Sequence, residues 1–347
     1  MQYLHTVEEI CEDITEILEG LVEPLRENHR TIMHYVLPVL WLIACIITMS
    51  LHDMWSNSIY TVLGVFAACL ANCVPVGGGI VYIPVFALLG KEMTGGVVFT
   101  VATMSFGNGV FGLLNWLQRD REVLLLCELP YVVLPTWIGY LVNLALVPTM
   151  PLPLVRLLFG LFSLLVGLFV LFAVRRGGVE KLFSPSLKQE LGGMGMRDQG
   201  DLIEEEQGDE KGMGGASVLA VLPRRTLHLL SVVSFTSGFV LLSSIGIGPG
   251  LVTFVALAAL LGHAPGFKIQ AALVTGVVAG GIVCWLPLLL HAFMWQDVPM
   301  HEWLMVLPGV YTGAFLAPLV SAAVGTINMY YVLSVVLFAS SVMYLVY

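Results

Sequence analysis

The chain has 347 residues; 58% are hydrophobic, only 11% are charged, and mean hydropathy is +0.90. A soluble domain carries about 25% charge, so these figures exclude a soluble globular enzyme, a disordered chain and a nucleic-acid binder. What remains is an all-α polytopic membrane protein, with room for at most about ten crossings at about 20 residues each.

The formal net charge of −9 is unevenly placed. Eight of the 24 acids lie between Glu8 and Glu27 and nine between Glu180 and Glu210, while eight of the 15 basic residues lie between Arg175 and Arg225. The charge therefore describes two extramembrane segments rather than a ligand path. None of the six cysteines (Cys11, Cys45, Cys69, Cys73, Cys127, Cys284) shows metal-ligand spacing, and they read as small buried hydrophobes. The N-terminus is acidic where a secretory signal would be basic and then apolar.

In chain order, residues 4–25 form an amphipathic helix, with Leu4, Val7, Cys11, Ile14, Leu18, Leu21 and Leu25 on one face and acids on the other. Its acidity suits contact with protein better than an anionic leaflet. Tyr35–Leu51 is a first, extra span. Ile59–Gly90 is an apolar run interrupted at Pro75-Val76-Gly77-Gly78-Gly79, followed by plain spans Thr94–Leu117, Val123–Val147 and Leu152–Val174. Residues 175–225 are polar, rich in Gly and Glu, and are expected to be a disordered cytoplasmic loop. Leu227–Gly262 is then interrupted at Gly246-Ile247-Gly248-Pro249-Gly250, and plain spans Ile269–Phe293, Trp303–Val324 and Asn328–Tyr347 follow. This divides the chain into an acidic segment (1–34), an extra span (35–58), a first transmembrane unit (59–174), the loop (175–225) and a second unit (226–347).

The two units share one layout and several residues in the same order. Gly77 and Gly79 align with Gly248 and Gly250, and Asn72-Cys73 with Ser243-Ser244. Ala87-Leu88-Leu89-Gly90 returns as Ala259-Leu260-Leu261-Gly262, with Thr103 and Thr275 thirteen residues beyond; Leu129-Pro130 returns as Leu307-Pro308. Paired Gly/Pro-interrupted apolar segments point to a transporter's binding site. Basic clusters mark the cytoplasmic face. If Ile59–Gly90 crosses fully, Arg119 and Arg121 fall opposite Arg26 and Arg30. If it is a re-entrant hairpin, every basic cluster lies on one face and the Lys/Arg-free stretch 291–303 on the other. The second reading is favoured, and it makes the repeats inverted. Leu251–Gly262, 12 residues long and so about 18 Å of helix, is too short to cross alone.

A helix that starts mid-membrane offers unsatisfied backbone N–H groups and a dipole that attracts anions. Glycines let that backbone approach a ligand, and broken backbone survives in a bilayer only in protein or along a cavity. The candidate binding residues are thus Gly77, Gly78 and Gly79 at one break and Gly246, Gly248 and Gly250 at the other. Asn72, Thr103, Ser105, Ser243, Ser244 and Thr275 would supply side-chain donors. The competing reading is that these glycines only allow close helix packing.

The stretch from Pro75 through Gly79 to Ile80-Val81-Tyr82-Ile83-Pro84-Val85-Phe86-Ala87-Leu88-Leu89-Gly90 resembles the signature of the sulfite exporter TauE/SafE family. Ser244-Ile245-Gly246-Ile247-Gly248-Pro249-Gly250 with Leu260-Leu261-Gly262-His263-Ala264-Pro265 resembles its second copy, although Pro249 stands where that motif has a glycine and Pro84 has no counterpart there. The resemblance implies a permease for sulfur-containing or organic anions such as sulfite and sulfonates.

No Asp, Glu, Lys or Arg falls at the centre of any span, which disfavours a pump built on buried carboxylates. Glu128 and Arg156 lie near span ends and read as interfacial anchors. His228 and His291 read as interfacial histidines, Lys268 as a positive-inside marker, and the seven tryptophans as interface anchors. There is no His-Glu-x-x-His, phosphate-binding loop or Gly-x-Ser-x-Gly elbow, and too little polar chain for a nucleotide-driven pump. The expected protein is thus not an enzyme, needs no cofactor or metal, and meets a small anion and the lipid bilayer, with a homo-oligomer open and no nucleic acid. The alternative is a membrane scaffold acting through its acidic helix and central loop.

Overall fold

In a computed structural model of the chain, the structure describes residues 31–73, 78–119, 124–147, 151–175, 224–246, 249–261, 269–324 and 326–346, with residues 17, 20, 24, 27, 28 and 30 ahead of them. The break residues Gly77 and Gly248, the loop 176–223 and most of the acidic N-terminal segment lie outside the described residues. Among the described residues the regular structure is all helix.

Among the described residues, five helices are long and apolar enough to cross a membrane: Thr94–Leu117 (here α5), Leu126–Leu146 (α6), Pro153–Phe172 within Leu152–Arg175 (α7), Gln270–Trp295 (α10) and Met300–Val320 within Met300–Val324 (α11). These match five of the expected plain spans. The remaining elements are α1 (Ile32–Thr48), α2 (Leu51–Ser56), α3 (Ile59–Cys73), α4 (Gly79–Leu88), α8 (Arg224–Ser237), α9 (Pro249–Leu261) and α12 (Thr326–Val346).

α1 ends where Met49 turns extended, and Ser50 then caps α2 in a reciprocal box with Asp53. That short turn delivers the chain to α3, which runs parallel to α11. Thr61 Oγ1 donates to Met305 O (2.6 Å) near the start of both helices, and Cys73 Sγ to Ala317 O (3.3 Å) twelve residues on. Glycines permit the approach: a Cβ built on Gly309 would lie 1.9 Å from Thr61 O, and one on Gly64 2.6 Å from Val306 O. α4 then returns, ends at left-handed Gly90, and hands over to Lys91. Lys91 forms an ion pair with Glu302 at the start of α11, with its ammonium 5.5 Å above the Tyr60 ring. Both ends of the α3–α4 segment therefore lie at the end of the bundle where α11 begins.

The same relation holds between α8 and α6. Ser231 Oγ donates to Tyr131 O (3.3 Å) and Thr136 Oγ1 to Ser234 O (3.2 Å). A Cβ on Gly238 would lie 2.0 Å from Thr136 O, and one on Gly139 2.2 Å from Phe235 O. α9 packs along α10, as α4 packs along α5, and α7 lies against α12. The α8–α9 segment starts at the end of the bundle where α6 begins; α5 separates that end from the start of α11.

Two of the tryptophans expected as interface anchors also join helices. Trp41 Nε1 donates to Leu304 O (2.7 Å) and Trp137 Nε1 to Val283 O (2.9 Å), so both tie helices together. Trp55, 81% exposed, keeps the anchor-like position.

Partial burial lowers the Lys91 ammonium's affinity for its proton, but Glu302 and Tyr60 more than offset this and hold it above the ordinary lysine range. A raised value means that the ion pair's contribution is complete below the unfolded lysine value and is lost as pH rises through the folded one. Glu302→Gln is accordingly expected to cost less than about 1 kcal/mol at neutral pH, measured by thermal unfolding. That difference should vanish in strong alkali.

Candidate anion site

α5 carries most of the polar side chains that the glycine breaks could use. It is α-helical over Met93–Phe106, widens to a π-helix over Gly107–Gly112, and resumes over Leu113–Arg119. Three glycines in six residues allow neighbours to close in on the widened turn. A Cβ on Gly107 would lie 2.8 Å from Val310 Cγ1, one on Gly109 3.0 Å from the Gly281 carbonyl carbon, and one on Gly112 3.1 Å from Asn72 Oδ1. π-turns of this kind are frequent at functional sites. The hydropathy of Thr94–Leu117 reads as a plain span, so the widened turn and buried Asn108 within it escape a reading of periodicity. The signal in the sequence is Gly107-Asn108-Gly109 followed by Gly112.

The expected site residues divide into three groups. Three carry a buried polar atom that has no partner: Asn72 Oδ1, Thr103 Oγ1 and Ser244 Oγ. Asn72 uses its Nδ2 on Ala68 O (2.8 Å), within its own helix. Three others have hydroxyls already engaged. Ser105 Oγ donates to Val101 O (2.9 Å), Ser243 Oγ donates to Phe239 O, and Thr275 Oγ1 accepts the Leu125 backbone N–H (3.0 Å). The third group is the glycines. Gly78 precedes α4, and a Cβ there would strike the Tyr82 ring at 2.6 Å; Gly79 is buried as the first residue of α4. Gly246 has φ +65° and lies against Val97 of α5, where a Cβ would sit 2.6 Å from Cγ1. Gly250, second residue of α9, faces Gly276 of α10, with its Cβ position 2.7 Å from Gly276 O. Gly246 and Gly250 thus have packing roles that would require glycine with or without a ligand.

α5 is the element that both breaks meet: Asn72, at the end of α3, reaches its π-turn, and Gly246 lies one to two turns before Thr103. The helix start at α4 leaves the N–H groups of Gly79 and Ile80 without intrahelical acceptors. α9 starts with Pro249, which has no N–H to offer but is preset for a first helical position. The site's available donors are therefore neutral. Among the described residues, no group of three or more His, Cys, Asp or Glu could hold a metal. A cavity of about 470 Å³ lies between α1 and α11, lined by Leu37, Trp41, Phe106, Leu304 and Leu307 among others; its walls are too apolar for an anion.

Glu128 is not the interfacial anchor its sequence position suggests. It sits at the start of α6 with only 3% of its surface exposed, flanked by buried Leu126 and Leu129, and its Oε2 has no partner.

A protein-family model, Sulfite exporter TauE/SafE, matches residues 60–344. The chain belongs to that family. The TauE/SafE match spans both break-containing segments and all five long apolar helices, and leaves out α1 and the acidic segment before it. The protein is an integral, multi-pass membrane protein of a transporter family. No curated protein and no solved structure matched the chain.

Proposed function

We propose that this TauE/SafE protein is a secondary transporter of small sulfur-containing or organic anions, such as sulfite or sulfonates. It holds the anion between its two helix breaks with neutral donors and moves it by alternating access. The observation that carries this reading is the pair of buried, unpartnered hydroxyls of Thr103 and Ser244. An orphaned buried hydroxyl costs about 1–3 kcal/mol and is kept where a ligand completes it. Neutral donors suit transport, because binding must be weak enough to release. The breaks add backbone N–H groups at Gly79 and Ile80, and by the same reading at Gly250.

The architecture we propose is two inverted repeats, each a re-entrant pair followed by three spanning helices. Three features favour it. The α3–α4 segment begins beside Met305 and ends beside Glu302, both at the start of α11. The α8–α9 segment begins beside the start of α6, at the opposite end. Gly109 and Gly281 each follow their matched glycine, Gly90 and Gly262, by nineteen residues. They also touch each other: a Cβ on Gly281 would lie 2.1 Å from Gly109 N. Equivalent positions in contact are what a two-fold axis between repeats produces, and repeats meeting at such an axis can rock about it.

The test is uptake of labelled sulfite, sulfate, sulfoacetate and taurine into proteoliposomes. Saturable uptake of sulfite or a sulfonate, above empty liposomes and competed by unlabelled anion, is the expected result. Folded protein with no flux of any of the four would overturn the reading.

A further inference from the structure

We propose that Glu128 is the proton-carrying side chain of this transporter, so that anion movement is coupled to movement of protons. The proposal rests on the anion-transport reading and extends it to the driving force. Among the described residues, no other Asp or Glu side chain is buried. An ionised carboxylate buried without a partner is costly, and a neutral acid far less so. A group so placed is held where its charge state matters to the energy of the conformation that buries it. It is retained at a cost that a leucine at the same place would not carry.

Among the described residues, none forms an ion pair with Glu128, and its Oε2 has no partner. Of the elements packed against α6, α10 carries no titratable residue between Ile269 and Val283, and neither does the π-turn Gly238–Leu242 or the Ser243–Ile245 turn after it. α8 carries Arg224, Arg225 and His228 in its first turns, and α6 itself adds Cys127, Tyr131 and Tyr140. Because Ser231 meets Tyr131 where α8 and α6 run in parallel, His228, three residues earlier, stands level with Glu128. His228 is exposed.

The link to the anion runs through one hydrogen bond. Leu125, three residues before Glu128, donates its N–H to Thr275 Oγ1 at 3.0 Å. Thr275 stands thirteen residues past Gly262, as Thr103 does past Gly90. A shift of the Leu125–Glu128 turn that exposes the carboxyl therefore pulls on the helix that lines the second break. In the coupled cycle the carboxylate takes one proton from the aqueous phase when its turn is open and is buried as the neutral acid. It releases that proton to water in the other conformation; no other bond is made or broken.

The experiment compares wild type, Glu128→Gln and Glu128→Asp in proteoliposomes. Methanesulfonate is used beside sulfite because it carries no titratable proton near neutral pH. Anion counterflow at equal pH reports the transport reading, and accumulation driven by a pH gradient, with internal pH followed by a trapped dye, reports coupling. Wild type is expected to accumulate anion and to move protons. Glu128→Gln should keep counterflow within about threefold, lose accumulation at least tenfold and move no protons, with partial recovery in Glu128→Asp. Accumulation in Glu128→Gln equal to wild type would overturn the proposal. So would a wild type that shows counterflow but ignores the gradient. Absence of counterflow in wild type would sink the transport reading instead. The carboxyl proposal then stands or falls on infrared difference spectra of the folded protein against pH, in which a buried-acid band missing from Glu128→Gln is expected and its absence from wild type is disqualifying.

Discussion

Placing a methyl group on Gly238 or Gly309 is expected to force two helices apart and to destabilise the protein more than any other single methyl in these interfaces. The added carbon would sit 2.0 Å from Thr136 O at Gly238 and 1.9 Å from Thr61 O at Gly309. Both obstacles are backbone, which cannot rotate away as a side chain can. The helices would have to separate by more than an ångström, breaking the hydroxyl–carbonyl bonds from Thr61 to Met305 and from Thr136 to Ser234. Overpacking ordinarily costs about 1–3 kcal/mol; here about 3 kcal/mol or more is expected for each alanine variant, a fall of about 4 °C or more in unfolding temperature. Gly95→Ala is the control. It lies in the first turns of the helix that becomes α5 with open space around its Cβ position, and alanine is the better helix former, so its unfolding temperature should hold or rise. Detergent-solubilised protein followed by tryptophan fluorescence gives the measurement. Equal unfolding temperatures for Gly95→Ala and Gly309→Ala would mean that α3 and α11 do not pack as described.

These contacts also show what the sequence could and could not carry. Long spans are legible because hydropathy over twenty residues depends on composition alone, and five expected spans end within a few residues of the observed helices. The winding inside a span is not legible that way: hydropathy averaged over Thr94–Leu117 passes over Gly107–Gly112, and its widened turn depends on neighbours that approach from α3, α10 and α11. The polar partners are the hardest case. Thr103 and Thr275 stand at the same distance from the same four-residue phrase, yet Thr275 accepts a backbone N–H from Leu125 and Thr103 Oγ1 has no partner. Sequence symmetry marked both, and only tertiary packing separates them. Glu128 misleads for the same reason: a position near a span's end predicts an interface, and the helices around the start of α6 enclose it instead.

The sharpest test of the anion site uses a pair of substitutions whose effects on stability and on transport should differ in sign. Thr103→Val keeps the shape of the side chain and removes the hydroxyl; Ser244→Ala removes the other unpartnered one. If these hydroxyls were structural, deleting them would cost hydrogen bonds, but neither has one to lose. Removing an unpartnered buried polar group is neutral or stabilising, so unfolding temperatures should hold or rise slightly in the absence of anion. A hydrogen bond to a charged ligand is worth about 1.5–3 kcal/mol, so each variant should bind anion about 10- to 100-fold more weakly. The double variant should fall below detectable flux in the proteoliposome assay. Ser105→Ala is the matched control: its hydroxyl is already given to Val101 O, and its loss should leave anion affinity within about threefold. If Thr103→Val and Ser244→Ala both transport sulfite with wild-type affinity, the glycine breaks are packing devices and the anion crosses elsewhere. If only Thr103→Val fails, the site belongs to α5 and the first break alone, and the two breaks do not share one ligand.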